Sequence, residues 1–303
     1  MLLHRRSDTR RVRGPPLRGG GADKYYVTCK DPSDTSSWIQ QPFAMDVSNE
    51  RAIVKAMIDD GRARKNQHVV VKVGPSATIR KEYAVGEAVK GVPGFVRFIC
   101  AMQCEDDLER YRRNPRAGVC SHAASDPLMN VLVMPYFALG SVRAYAWERH
   151  PERLRSCLAQ LVLSLFVAFA RHGFVHNDIH LDNVLLSETR KAEIEYDLPD
   201  GAQVRVPTHG VRIHVMDFGN AFIPVERRQT GALFRDYDRV ISDLMFAARL
   251  RFDQLPELSA FTRARAWSDP PLSDVGGLLA IIGRIAAVER QPEPTLQYNP
   301  DAL

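Results

Sequence analysis

"FVHNDIHLDNVLL", residues 174–186, places Asp178, His180 and Asn183 directly after a strongly apolar stretch. Taken singly, these are two surface polar groups and a turn residue. Taken together, they line one mouth of a cleft, because Val184–Leu186 read as the start of a buried strand holding the segment in place. The surrounding sequence has to choose between the two.

Upstream, Pro151 occupies a first-turn position, and the pattern predicts a long helix to about Arg171. Its apolar part, "LAQLVLSLFVAFA" (158–170), contains Gln160 and is too short for a bilayer, so a buried helix is expected. Downstream, residues 192–216 predict β structure: "AEIEYDL", a Pro-Asp-Gly turn at 199–201, "AQVRVP" and "VRIHVMDFG". Towards the N-terminus, "HVVVKVG" (68–74) predicts a buried strand, followed by a helix over 78–92 that Gly91 and Pro93 stop. "FVRFICAMQC" and "NVLVMPYF" predict two further strands around a charged surface loop at 105–127. A strand is expected at 24–30, and helices at 47–60 (Ser48 as N-cap), 236–251 and 272–289. The order is mostly β, then mostly α. It predicts an α+β fold with a cleft near residues 134–140.

At 303 residues the chain suits one large domain or two lobes sharing a cleft. Its formal charge of +5 is localised: residues 1–22 carry six arginines against Asp8, which leaves the remainder neutral. That Arg-, Gly- and Pro-rich segment is expected to be a disordered tail, with a nuclear-import or polyanion-binding arm as the alternative. No basic body surface favours nucleic acid elsewhere. Charge follows Leu3 at once, so no secretory leader is expected. Five cysteines without a paired framework suit a reducing compartment. Cys100, Cys104, Cys120 and His122 would make a zinc set, although their spacing fits no tight rule and core thiols are the simpler reading.

Four separated features then converge: Lys72 in a Val-rich strand, Glu82 on the next helix, Asp178 and Asn183 in the quoted stretch, and Asp217 in "MDFGN". A phosphoryl-transfer cleft needs this ordered set. The lysine neutralises phosphate and a glutamate holds it; one aspartate orients a hydroxyl, while an asparagine and a second aspartate hold magnesium. Glu87 competes with Glu82, but Glu82 shares a helical face with Val85, Gly86 and Val89, and an inward carboxylate needs a cation.

Over about residues 68–250 the chain resembles the protein-kinase-like superfamily. "DIHLDN", the hairpin after "NVLL" and the "VPTHGVRIHVMDFG" exit are most similar to haspin-like kinases and to kinases of large DNA viruses. The resemblance implies a small β-rich N-lobe (23–134) after the 1–22 tail, and a mainly helical, shortened C-lobe (135–303). It implies ATP and Mg2+ as cofactors. Asp178, Lys72 and His180 would be catalytic, and Asn183 and Asp217 would hold the metal. "VLVMPYFALGS" resembles the gatekeeper and hinge, so the carbonyl of Pro135 and the N–H of Phe137 would hold adenine between Val70 and Leu185. Lys72 and Glu82 would complete the nucleotide site.

The pattern also departs from the family. No G-x-G-x-x-G precedes Lys72; Gly19–Gly21 lie far upstream, and the 47–60 region is the candidate replacement. Asn177 stands where an arginine is usual, and His180 stands where many Ser/Thr kinases carry lysine. Asp238 is the expected structural aspartate of the central C-lobe helix, with no A-P-E between it and Asp217. The expectation is an atypical intracellular Ser/Thr protein kinase, cytoplasmic or nuclear, in a host cell if virus-encoded. It would act on a protein hydroxyl without a membrane partner. A small-molecule kinase of aminoglycoside or choline-kinase type and a non-catalytic pseudokinase scaffold remain the alternatives.

Overall fold

Three β-branched runs make the centre of the first part of the chain. The computed structural model describes residues 39–48, 51–58, 67–104, 108–117, 119, 129–145, 149–198, 201, 203–223, 236, 239 and 243. Strands β1 (Ile39–Val47), β2 (Ala52–Ile58), β3 (Gln67–Pro75), β4 (Cys100–Cys104) and β5 (Met129–Pro135) form one antiparallel sheet in the order β1-β2-β3-β5-β4. Period-2 alternation divides their side chains between two faces. Ala52, Val54, Ala56, Val69, Val71, Val73, Val131 and Val133 share one apolar cluster with Leu108 and Tyr111. Those last two belong to α2 (Leu108–Arg113), a short helix inside the stretch expected to be loop. Leu132, Met134 and the inner residues of α1 (Ser76–Val89) belong to the opposite cluster, which continues into the rest of the molecule.

The second part is organised by α3 (Pro151–His172). Pro151 starts it, and Gly173, at φ 71°, ends it by donating its N–H to carbonyls of the last turn. Its length and mean hydropathy would suit a membrane span, yet most of its surface is buried within the protein. Leu158, Leu161, Leu165 and Phe166 pack into the main core. Gln160, one of two polar residues in the run with Ser164, is fully buried and satisfied. Its amide donates to the Val211 carbonyl at 3.1 Å, and its oxygen accepts the Ile213 N–H at 3.1 Å. That residue therefore fastens α3 to the strand that precedes Asp217.

Strands β6 (Val184–Glu188) and β9 (Val211–Val215) make an antiparallel pair, and β7 (Glu193–Asp197) and β8 (Gln203–Pro207) a hairpin, as the 192–216 pattern predicted. Val184 pairs with Val215, so Asn183 and Met216 leave the ladder at the same end. The Met216 N–H donates to the Asn183 carbonyl at 2.9 Å and holds those ends together.

The helix expected over 47–60 is overturned. Ile39–Val47 and Ala52–Ile58 pair as antiparallel strands β1 and β2, and Ser48 donates its N–H to the Arg51 carbonyl at 2.8 Å between them. The tail, the strand at 24–30, the turn residues 199 and 200, the helix at 272–289 and the sites of Cys120, His122 and Asp238 lie outside the described residues. Cys100 and Cys157 are buried free thiols.

Candidate active site

Lys72 lies on the inner face of β3 and is only 6 % exposed. Its ammonium donates to Glu82 Oε2 at 2.6 Å and to Asp217 Oδ1 at 2.7 Å. Glu82 comes from α1, whose first residue follows β3 directly, so the pair is built by adjacent elements. Burial alone would push the Lys72 pKa down; the two carboxylates outweigh it and hold the pKa above its ordinary value. Burial pushes Glu82 up, and Lys72 pulls it part of the way back. Burial also opposes charge on Asp217, but the cations Lys72 and Arg51 keep that carboxyl below its usual range. Glu87 instead accepts a hydrogen bond from Lys90 on the surface, and Glu82 is the glutamate that Lys72 meets.

Asp217 follows β9 with φ 63°, and Asn177 precedes Asp178 with φ 62°. Left-handed backbone is strained for both residue types, though less for Asn and Asp than for most. These two conformations stand beside the candidate site, each held by neighbouring contacts. Asp178 Oδ2 accepts the Asn220 side-chain amide at 3.0 Å, and Oδ1 lies 3.4 Å from an Arg239 nitrogen. Asn183 donates its own amide to the Asp178 carbonyl at 3.0 Å. Asp178, Asn183 and Asp217 thus meet at one end of the β6–β9 ladder, linked through Met216 and Asn220. His180 is turned towards Asp182, with Nδ1 3.7 Å from its carboxylate.

Val70 from β3 and Leu185 from β6 both border the main core cluster, half-buried. Pro135 ends β5 opposite Val69, and the next residue, Tyr136, donates its N–H to the His68 carbonyl. Phe137 turns inward and stacks on His214, with ring centroids 4.1 Å apart.

Two contributions were missed by the sequence reading. The helical aspartate that supports the Asp178 segment is Asp236 in the structure, whereas Asp238 was expected. Asp236 is buried, and its carboxylate accepts the N–H groups of His176 at 2.8 Å and Asn177 at 3.0 Å. An aromatic column forms the second. Phe98, Phe218 and His176 follow one another at centroid distances of 5.7 and 6.0 Å, linking β4's approach, the Asp217 segment and the Asp178 segment. Gly86 makes room for it: a Cβ there would lie 2.2 Å from Phe98. His176 donates from Nε2 to the Met216 carbonyl at 2.9 Å, which assigns the tautomer.

Among the described residues no cluster of three or more metal-ligating side chains stands ready. The donor set of Asp217 and Asn183 is one carboxylate and one amide oxygen, since the Asn183 nitrogen is already engaged. Such oxygen donors fit a hard cation that completes its shell with water and phosphate, as magnesium does.

No protein-family model matches the chain. Part of it is 41 % identical over 64 residues to the serine/threonine-protein kinase haspin of Mus musculus, covering 21 % of this chain and 8 % of that protein. The haspin homologue of Arabidopsis thaliana is 39 % identical over 67 residues, covering 22 % and 11 %. An uncharacterised protein of Caenorhabditis elegans is 36 % identical over 71 residues, covering 23 % and 24 %. The matches thus span less than a quarter of any of these relatives. A crystal structure of a kinase domain superposes with TM-score 0.39 at 13 % identity, covering 67 % of this chain and 56 % of that one. Over about a fifth of its length the chain is thus similar to haspin-type serine/threonine-protein kinases.

Proposed function

We propose that the protein is a serine/threonine protein kinase of atypical form, transferring the γ-phosphoryl group of Mg-ATP to a protein hydroxyl. One observation carries this: Lys72 is charged, buried and held between Glu82 and Asp217 at 2.6 and 2.7 Å, beside Asp178 and Asn183. A buried ion pair gives little net stability over an apolar pair of the same shape. Its presence in a cleft fits the binding of an anionic ligand.

Each side chain has a task in that reading. Lys72 neutralises the inner phosphates, and Glu82 fixes its position. Val70 and Leu185 sandwich the base, and the Pro135 carbonyl and Phe137 N–H bond its edge. Asp178, oriented by Asn220, accepts the hydrogen bond of the attacking hydroxyl and aims it at phosphorus. His180 donates a hydrogen bond to the transferred group in place of the usual lysine. Asp217 and Asn183 would hold magnesium, which supplies charge neutralisation on the phosphates. Catalysis then comes mainly from positioning and electrostatics.

The test is incubation of the full chain with magnesium and γ-labelled ATP, offered protein, peptide or aminoglycoside and choline acceptors. Label on Ser or Thr of a protein supports the proposal. Label confined to the small molecules would move the acceptor class, and absence of both transfer and ATP binding would favour a scaffold.

A further inference from the structure

The turn between β1 and β2 leads into Ile53, which pairs directly with Lys72 across β2 and β3. Residues 48–51, Ser-Asn-Glu-Arg, contain no glycine. Such a turn cannot wrap a run of close-approaching backbone N–H groups around a polyphosphate as a glycine-rich one does. A side chain offers charge instead. Arg51 precedes Ile53 by two residues and therefore shares its face, the face that also carries Lys72. Its guanidinium reaches across to Asp217, with Nη1 3.6 Å from Oδ2. Its backbone is pinned as well: the Arg51 N–H donates to Ser48 Oγ at 3.1 Å.

Asp217 is thereby held from both sides, by Lys72 on Oδ1 at 2.7 Å and by Arg51 on Oδ2. A divalent cation arriving at Asp217 would compete with the guanidinium for that oxygen and repel it. The polyphosphate that accompanies the cation offers the guanidinium a new partner within the same reach. A planar, forked donor matches phosphate oxygens in pairs, and about half of the Arg51 side chain is open to solvent.

We infer that Arg51 is a polyphosphate-binding residue, which leaves Asp217 for the outer phosphates of the nucleotide when the metal binds. It performs by charge what the missing glycines would perform by backbone. The inference rests on the nucleotide reading above and adds a residue that selects triphosphate over nucleoside.

The experiment is calorimetric titration of the full chain with Mg-ATP, Mg-ADP and adenosine, for wild type, Arg51→Ala and Arg51→Lys. Arg51→Ala is expected to weaken Mg-ATP binding about tenfold or more while leaving adenosine unchanged. Arg51→Lys should recover part of the loss, because it keeps charge without the fork. Mg-ATP affinity that is unchanged in Arg51→Ala would overturn the inference. Tighter affinity would also overturn it, showing Arg51 to be a competitor for Asp217. Equal weakening of adenosine would reduce Arg51 to a structural role. A wild-type protein that binds neither adenosine nor Mg-ATP would instead defeat the nucleotide reading on which it stands.

Discussion

Asp236 shows how one buried carboxylate can hold the Asp178 segment in a strained shape. Its oxygens take the N–H groups of His176 and Asn177, and Asn177 has the left-handed backbone that turns the chain into Asp178. Asp236→Asn keeps the size but places an amide N–H2 against a backbone donor. The expected loss is about 1–3 kcal/mol of unfolding free energy, read by denaturant titration. An unchanged midpoint would mean that the segment is held by other contacts. The histidines allow a second test. Burial lowers the pKa of both His176 and His214, so each resists protonation in the folded chain more than in the unfolded one. Once unfolded, each takes a proton as pH falls below about 6.5. The unfolded state then binds more protons, so stability should fall with falling pH by up to about 1.4 kcal/mol per unit for each histidine. Unfolding titrations at pH 7.5, 6.5 and 5.5 check the slope, and a flat profile would contradict it. At this scale Lys72, Glu82, Asp178, Asn183 and Asp217 were singled out by the order and type of residues, and the structure links Lys72 to Glu82 and Asp217 and Asn183 to the Asp178 backbone. Asp236 was not. Only its tertiary contacts with the His176 and Asn177 N–H groups single it out.

Gly86 in α1 matters for the space it leaves. Alanine there would normally favour a helix by up to about 1 kcal/mol. Here its Cβ would meet Phe98 at 2.2 Å and Phe218 at 3.2 Å, at the top of the aromatic column. Gly86→Ala is expected to lower stability by about 1–3 kcal/mol, since overpacking wins over propensity. Adding Phe98→Leu should return part of that loss, and thermal unfolding of the single and double variants measures the coupling. A stabilised Gly86→Ala would show that the column yields freely. Among the elements, α1, β3, α3 and the β7–β8 hairpin were legible, because each has one clear period and definite punctuation. The β1–β2 hairpin was not. "VSNERAIVKAMIDD" spaces Val47, Val54, Met57 and Ile58 as a helix would, yet Ala52, Val54, Ala56 and Ile58 also alternate. Pairing with β1 and β3 selects the second pattern. Ser48 misleads in the same way, since a residue that caps helices also closes turns.

Across the whole molecule, the five-stranded sheet supplies Lys72, Val70 and Pro135, while the α3-centred part supplies Asp178, Asn183, Leu185 and Asp217. A nucleotide bound by both would link them. Mg-ATP at 100 times its dissociation constant should add about 2.7 kcal/mol to unfolding, visible as a raised melting temperature. No shift at saturating Mg-ATP would leave the cleft without its proposed ligand. Removal of residues 1–22, with their surplus of five positive charges, should leave phosphoryl transfer intact while weakening retention on heparin. Lost transfer in a folded truncation would assign the phosphate contact to Gly19–Gly21. The α+β plan was legible from the order of strand and helix patterns, and the support for the Asp178 segment was not, because it comes from Asp236, sixty positions from His176. The most direct test of the central claim is phosphoryl transfer by Asp178→Asn, measured beside its affinity for Mg-ATP. The substitution keeps the shape and removes the carboxylate. Turnover is expected to fall by a factor of about a hundred or more, with nucleotide affinity nearly unchanged. Undiminished transfer would contradict the account and return "HNDIHLDN" to the status of a turn.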